Sequence, residues 1–66
     1  MTESELRTVL RNNGGYSVSR KTAHGDHYFY AVRRKRGGGR EEIYLCPETK
    51  LEEKSEEEIV ARLSSA

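Results

Sequence analysis

His27-Tyr28-Phe29-Tyr30-Ala31-Val32-Arg33-Arg34-Lys35-Arg36-Gly37-Gly38-Gly39-Arg40-Glu41-Glu42-Ile43-Tyr44-Leu45-Cys46-Pro47 is the stretch that decides the fold. Two runs rich in β-branched and aromatic residues, Tyr28 to Val32 and Ile43 to Leu45, flank three consecutive glycines. Aromatic and branched side chains favour a pleated surface, and glycine reverses a chain at no steric cost, so the stretch reads as a β-hairpin. Its expected strands are residues 27–36 and 40–46. Pro47 ends the second of them, because proline cannot donate to a strand ladder.

Immediately upstream, Tyr16-Ser17-Val18-Ser19-Arg20 alternates apolar or aromatic with polar residues, the period of a half-buried strand. A strand over 16–22 is expected, followed by a turn at His24-Gly25-Asp26. Two registers follow from that turn. A three-residue loop sets Val18 opposite Val32, and a Gly25-Asp26 turn sets Val18 opposite Arg33. The middle strand accordingly offers two candidate core sets: Tyr28, Tyr30 and Val32, or Phe29 and Ala31. A one-residue slip exchanges them.

Helical grammar brackets the three strands. Thr2-Glu3-Ser4-Glu5 is a capping box, and Leu6, Val9 and Leu10 form one apolar stripe before Asn12-Asn13-Gly14-Gly15 stops the helix. A helix over 3–12 is expected. Ser55-Glu56-Glu57-Glu58 repeats the box, with acids suited to a positive helix N-terminus, and Ile59, Val60 and Leu63 follow as a stripe. That predicts a second helix over 56–64, with Ser64-Ser65-Ala66 fraying. Residues 47–54 make a polar connection in which Leu51 is the anchor. The fold class is therefore α+β, in the order α-β-β-β-α, with a three-stranded antiparallel meander packed on helices.

Sixty-six residues accommodate one domain with a thin core. Cys46 is the single cysteine, so no internal disulfide forms. His24, His27 and Cys46 are the only candidate soft ligands. They fall short of the four spaced ligands of a structural zinc site, so neither metal nor cofactor is expected. No serine, histidine or carboxylate pair stands in a catalytic arrangement: the acids fall at helix starts and the histidines at a turn. No enzyme is expected. With no apolar run long enough for a membrane helix or signal peptide, and a lone thiol, the expected location is the cytoplasm, without membrane contact.

Charge points to a partner. The net charge is +1, but residues 1–46 hold nine Lys/Arg against five Asp/Glu, and residues 47–66 hold three against six. Such a split speaks to what the surface meets rather than to the fold. Arg33-Arg34-Lys35-Arg36 and Arg40 crowd one hairpin, with Arg20 and Lys21 on the neighbouring strand. Clustered cations gain affinity for phosphates by releasing counterions, and arginine adds bidentate and stacking geometry. Tyr28 and Tyr30, interleaved with them, suit stacking on bases or packing on sugars. The candidate nucleic-acid contacts are thus Arg20, Lys21, Tyr28, Tyr30, Arg33, Arg34, Lys35, Arg36 and Arg40. A competing expectation is a protein-interaction or accessory module, monomeric or homodimeric, which uses an open sheet face or the acidic second helix.

Tyr30-Ala31-Val32-Arg33-Arg34-Lys35-Arg36, a glycine turn, Glu42-Ile43-Tyr44-Leu45 and then Ile59-Val60-Ala61-Arg62-Leu63 together resemble sheet-reading DNA-binding domains, namely plant ethylene-response-type domains and the arm-site-binding domains of tyrosine integrases. The resemblance spans residues 28–63. It implies a three-stranded sheet laid in a DNA groove with a helix bracing its back. On that resemblance Arg33, Arg34, Arg36 and Arg40 are the contacts and Tyr28 or Tyr30 packs on the backbone, so DNA is expected in preference to RNA. The element order is also similar to that of double-stranded-RNA-binding domains, but the likeness stops at topology: where those domains open the second helix with phosphate-gripping lysines, this chain has the acidic Ser55-Glu56-Glu57-Glu58.

Overall fold

A computed structural model describes residues 1–65; the expected fraying at Ala66 lies outside them. The chain runs α1 (Glu3–Asn12), β1 (Ser17–Ala23), β2 (Asp26–Arg34), β3 (Arg40–Pro47), a 3-10 helix (Glu48–Glu53) and α2 (Glu56–Ser64). The strands form one antiparallel sheet in the order β1-β2-β3. No helix among the described residues is long and apolar enough to cross a membrane.

Both helix starts form where their sequences dictate. The Thr2 hydroxyl accepts from the Glu5 amide at 3.1 Å while the Glu5 carboxylate accepts from the Thr2 amide at 2.9 Å. At α2 only half of the expected box forms: the Ser55 hydroxyl accepts from the Glu58 amide at 3.3 Å, but the Glu58 carboxylate turns to Lys54 and the Ser55 hydroxyl rather than to the Ser55 amide. At the end of α1 the Asn13 side chain donates to the Val9 carbonyl, and the amides of Gly15 and Tyr16 take the carbonyls of Arg11 and Leu10. Gly14 adopts φ +126, and a Cβ there would lie 2.6 Å from the Tyr16 ring, so only glycine fits.

The first hairpin closes differently from either expected register. His24 and Gly25 form a two-residue turn with φ 54 and 82, values of a type I′ turn, and Ala23 pairs with Asp26. Val18 consequently sits opposite Ala31, not Val32 or Arg33. The reason is local: histidine at 24 takes the left-handed conformation, which lets the chain reverse one residue early and draws Asp26 into the strand. β1 and β2 shift by a residue from their expected starts as a result.

At the second hairpin β2 stops at Arg34, two residues short of the expected end. Gly37, Gly38 and Gly39 all have positive φ, and the Lys35 amide bonds the Gly39 carbonyl, so the reversal already begins at Lys35. Lys35 and Arg36 therefore belong to the loop.

With the register set, the faces separate. Phe29 and Ala31 are 1% and 0% exposed, whereas Tyr28, Tyr30 and Val32 are half-buried. The core joins Phe29 and Ala31 to Leu6, Val9, Leu10 and Tyr16 on one side and to Ile43, Leu45, Cys46, Leu51 and Ile59 on the other. Val18, Val60 and Leu63 pack at its margin. A bulge completes it. Phe29 pairs with Cys46 but Tyr30 with Tyr44, so Leu45 is an extra residue, and Leu45 and Cys46 are both buried. Leu51 anchors the 3-10 helix beneath β2, and the amino group of Met1 donates to the carbonyls of Leu51, Glu52 and Lys54. All of this lies on one face of the sheet. The other is uncovered by either helix.

Candidate nucleic-acid interface

Alternation along β2 divides the basic run. Residues opposite one another across an antiparallel ladder share a face. Tyr28, Tyr30, Val32 and Arg34 thus share the open face with Ser17, Ser19 and Lys21 of β1 and with Arg40, Glu42 and Tyr44 of β3. Arg20 and Arg33 fall on the helix-covered side with Phe29 and Ala31. The nine residues picked out by sequence are therefore not one patch.

Arg33 is held from several directions. Its Nε and Nη2 donate to Glu41 at 3.1, 2.9 and 3.2 Å, and its Nη1 donates to the Gly14 carbonyl at 2.8 Å. The guanidinium lies 4.2 Å from the Tyr16 ring centre. Arg33 ties the end of α1 to the β2–β3 hairpin, and these contacts use most of its donors. Arg20, at the outer margin of the same side, donates to Glu48 at 2.9 Å.

At the centre of the open face stand three tyrosines. The Tyr44 ring centre is 5.4 Å from that of Tyr30, edge to face, and 6.2 Å from that of Tyr28, tilted by 51°. Such offset geometry is how aromatic quadrupoles settle together. Lys21 Nζ lies 4.7 Å above the Tyr30 ring and is ion-paired to Glu42, so it spans the face from β1 to β3. The ammonium of Lys21 holds the Glu42 carboxyl below the usual carboxylate range. The Tyr44 hydroxyl is pushed up, first by partial burial and then by the nearby Cys46, Tyr28 and Tyr30. Tyr44 therefore stays neutral at physiological pH and presents ring surface rather than charge in the middle of the sheet.

The cations gather at one end. Arg34, Lys35 and Arg36 have no acidic partner among the described residues, and Arg40 approaches Glu42 only at 4.0 Å. Ser17, Val32 and Gly39 with Arg33, Arg34 and Arg40 line a shallow concavity of about 270 Å³ beside this end. From Tyr28 to Arg34 the strand covers about 20 Å, at about 3.4 Å per residue. The site is thus an aromatic centre leading to a cationic tip.

Tyr44, Glu42 and Arg62 belong to this face or its rim and lie outside the nine residues that the sequence singles out. Tyr44 alternates with Ile43 and Leu45, which signals an outward side chain, but its place beside Tyr30 depends on the bulge. Arg62 reaches from α2 to donate to the Tyr44 carbonyl at 2.8 Å, with its guanidinium 5.6 Å from the Tyr44 ring centre. The histidines are apart from all of this: His24 forms the turn and His27 Nδ1 meets the Thr22 hydroxyl at 2.9 Å. Among the described residues no group of three His, Cys, Asp or Glu side chains is placed to hold a metal ion. No family model, curated protein or solved structure matches the chain.

Proposed function

We propose that the protein is a small, non-catalytic module of the cytoplasm that contacts nucleic acid, DNA in preference to RNA, through the open sheet face and the Lys35–Gly39 tip. One observation carries the reading: Arg34, Lys35 and Arg36, without acidic partners among the described residues, end the sheet face that bears Tyr28, Tyr30 and Tyr44. Cations already neutralised by the fold release few counterions; unpaired ones gain the full effect when they meet phosphates. Arg34, Lys35, Arg36 and Arg40 are the phosphate contacts in this reading, with Lys21 flanking the tyrosines. Arg20 and Arg33 serve the fold instead. The preference for DNA rests on the resemblance to sheet-reading DNA-binding domains, which likewise brace a three-stranded sheet from behind and leave its front bare.

The test is salt-dependent binding of a short labelled DNA, offered as duplex and as single strand. Replacing Arg34, Lys35 and Arg36 together with alanine lowers the slope of log K against log salt by roughly 0.7 to 0.9 for each phosphate no longer neutralised. A slope equal to that of the parent refutes the assignment.

A second reading is a protein-interaction module, favoured by the exposed Glu56 and Glu57 in the first turn of α2. These acids would dock on a basic partner. A homodimer through the open face is less favoured, since it would bring two surfaces bearing Lys21, Arg34 and Arg40 together.

A further inference from the structure

We infer that the occupant of the open face is an unpaired stretch of nucleic acid, with bases stacked on the tyrosines and the backbone led to the arginine tip. The inference rests on the nucleic-acid contact proposed above, departs from the groove-reading mode that the resemblance implies, and adds the strand state of the ligand.

The side chains in the middle of the face select the occupant. Reading a duplex in its major groove calls for long donors and acceptors there, able to pair with base edges. Here the middle rows are Ser19, Tyr30 and Tyr44, then Lys21, Tyr28 and Pro47, then Ser17, Val32 and Glu42. Apart from the hydroxyls at the tips of the tyrosine rings, the only long polar side chains among them are Lys21 and Glu42, and these are committed to each other. The unpaired donors, Arg34, Lys35 and Arg36, are all displaced to one end. What the centre does offer is ring surface, and every unpaired base has a π-face to match it. In a duplex those faces are hidden in the stack.

Charge selects the same occupant over an apolar protein. Lys21, Arg34 and Arg40 against Glu42 and, at the far end of β2, Asp26 leave the face positive, and the loop adds Lys35 and Arg36. An extended strand of nucleotides supplies flat apolar bases and a phosphate at each step, and so complements both halves of the site. Tyr28 is the natural first platform. Lys21 lies over the Tyr30 ring and Arg62 near the Tyr44 ring, whereas no cation covers Tyr28 among the described residues.

The experiment uses the full chain with fluorescein-labelled oligo-dT and oligo-rU ten-mers and a ten-base-pair duplex, followed by anisotropy at low salt. A single strand is expected to bind about ten-fold tighter than the duplex. Tyr28→Leu, which keeps apolar bulk but removes the ring, is expected to weaken single-strand binding about ten-fold with an unchanged salt slope. Tyr28→Phe keeps the ring and is expected to retain affinity, which separates stacking from folding. The two ten-mers differ in the sugar's 2′-hydroxyl and the base's 5-methyl group, and such a margin for either supports the inference. Duplex binding as tight as single-strand binding, or a Tyr28→Leu variant with parental affinity, overturns it while nucleic-acid contact itself stands. Absence of binding by every probe removes both.

Discussion

Arg33 offers the sharpest separation between folding and binding, because its position in the basic run suggests one role and its contacts give it another. In Arg33→Ala three groups of contacts vanish. The forked pair with Glu41 joins side chains that are 39% and 29% exposed, so solvent screening reduces its worth to about 0.5–1 kcal/mol. The hydrogen bond to the Gly14 carbonyl adds about 1 kcal/mol, and the stack on the Tyr16 ring adds about 0.5–1 kcal/mol. The expected destabilisation is about 2–3 kcal/mol. A domain of this length holds roughly 3–10 kcal/mol in total, so the change is a large fraction of it. The midpoint of thermal unfolding falls by about 8–24 °C, at roughly 4–8 °C per kcal/mol. Urea unfolding followed by far-ultraviolet circular dichroism measures the change. A cycle with Glu41→Ala isolates the ion pair, with an expected coupling of about 0.5–1 kcal/mol. DNA binding by folded Arg33→Ala keeps the parental salt slope. A destabilisation under about 0.5 kcal/mol, combined with a shallower slope, would show that Arg33 spends its charge on phosphate and that the clamp is not what holds it.

Two further outcomes follow from local chemistry. His24 occupies a left-handed position that asparagine adopts more readily, so His24→Asn is expected to stabilise the protein by up to about 1 kcal/mol in urea melts; a destabilised variant would contradict the type I′ reading of the turn. Burial raises the Cys46 thiol above its ordinary pKa, and partial burial raises Tyr44 likewise, so the folded chain holds these protons more tightly than the unfolded chain. Their stabilisation is intact below the ordinary value of about 9 for a thiol and is lost as pH climbs through the raised values. Urea midpoints measured from pH 7 to 11 should fall on the alkaline side, and a Cys46→Ala variant should show a smaller fall.

Much of the architecture was legible because its signals are local. The capping box at Thr2 and the Ser55 cap fix both helix starts by hydrogen bonds made within four residues, and the triple glycine and Pro47 punctuate the sheet. The turn at His24 was not legible, since most non-glycine residues avoid positive φ and nothing nearby announces that this one does not. The bulge at Leu45 was equally hidden, because Tyr44-Leu45-Cys46 reads as unbroken strand and the extra residue shows only when β2 lies alongside. Choosing the core face depended on that same pairing, for Phe29 with Ala31 and Tyr28 with Tyr30 are both apolar enough to be buried. The candidate site suffered most from this. Arg33-Arg34-Lys35-Arg36 is a single block in sequence, yet the pleat sends Arg33 to the covered side and Arg34 to the open one, while the glycines carry Lys35 and Arg36 into the loop.

The reach of Arg62 to the Tyr44 carbonyl has a consequence for how the protein keeps to itself in a crowded solution. β3 is an outer strand, and outer strands present unpaired backbone groups to which another chain can add. By occupying a carbonyl of β3, Arg62 interrupts that invitation, and it does so only while the last turn of α2 is wound. That turn is secured by the Ser65 amide and hydroxyl, which both donate to the Ala61 carbonyl. In that arrangement the end of a nine-residue helix would guard against fibre growth. Arg62→Ala should scatter more light than the parent at high concentration, with little change in the urea midpoint, and equal scattering would remove that duty from Arg62. A loosened helix end would leave a folded protein with an adhesive side.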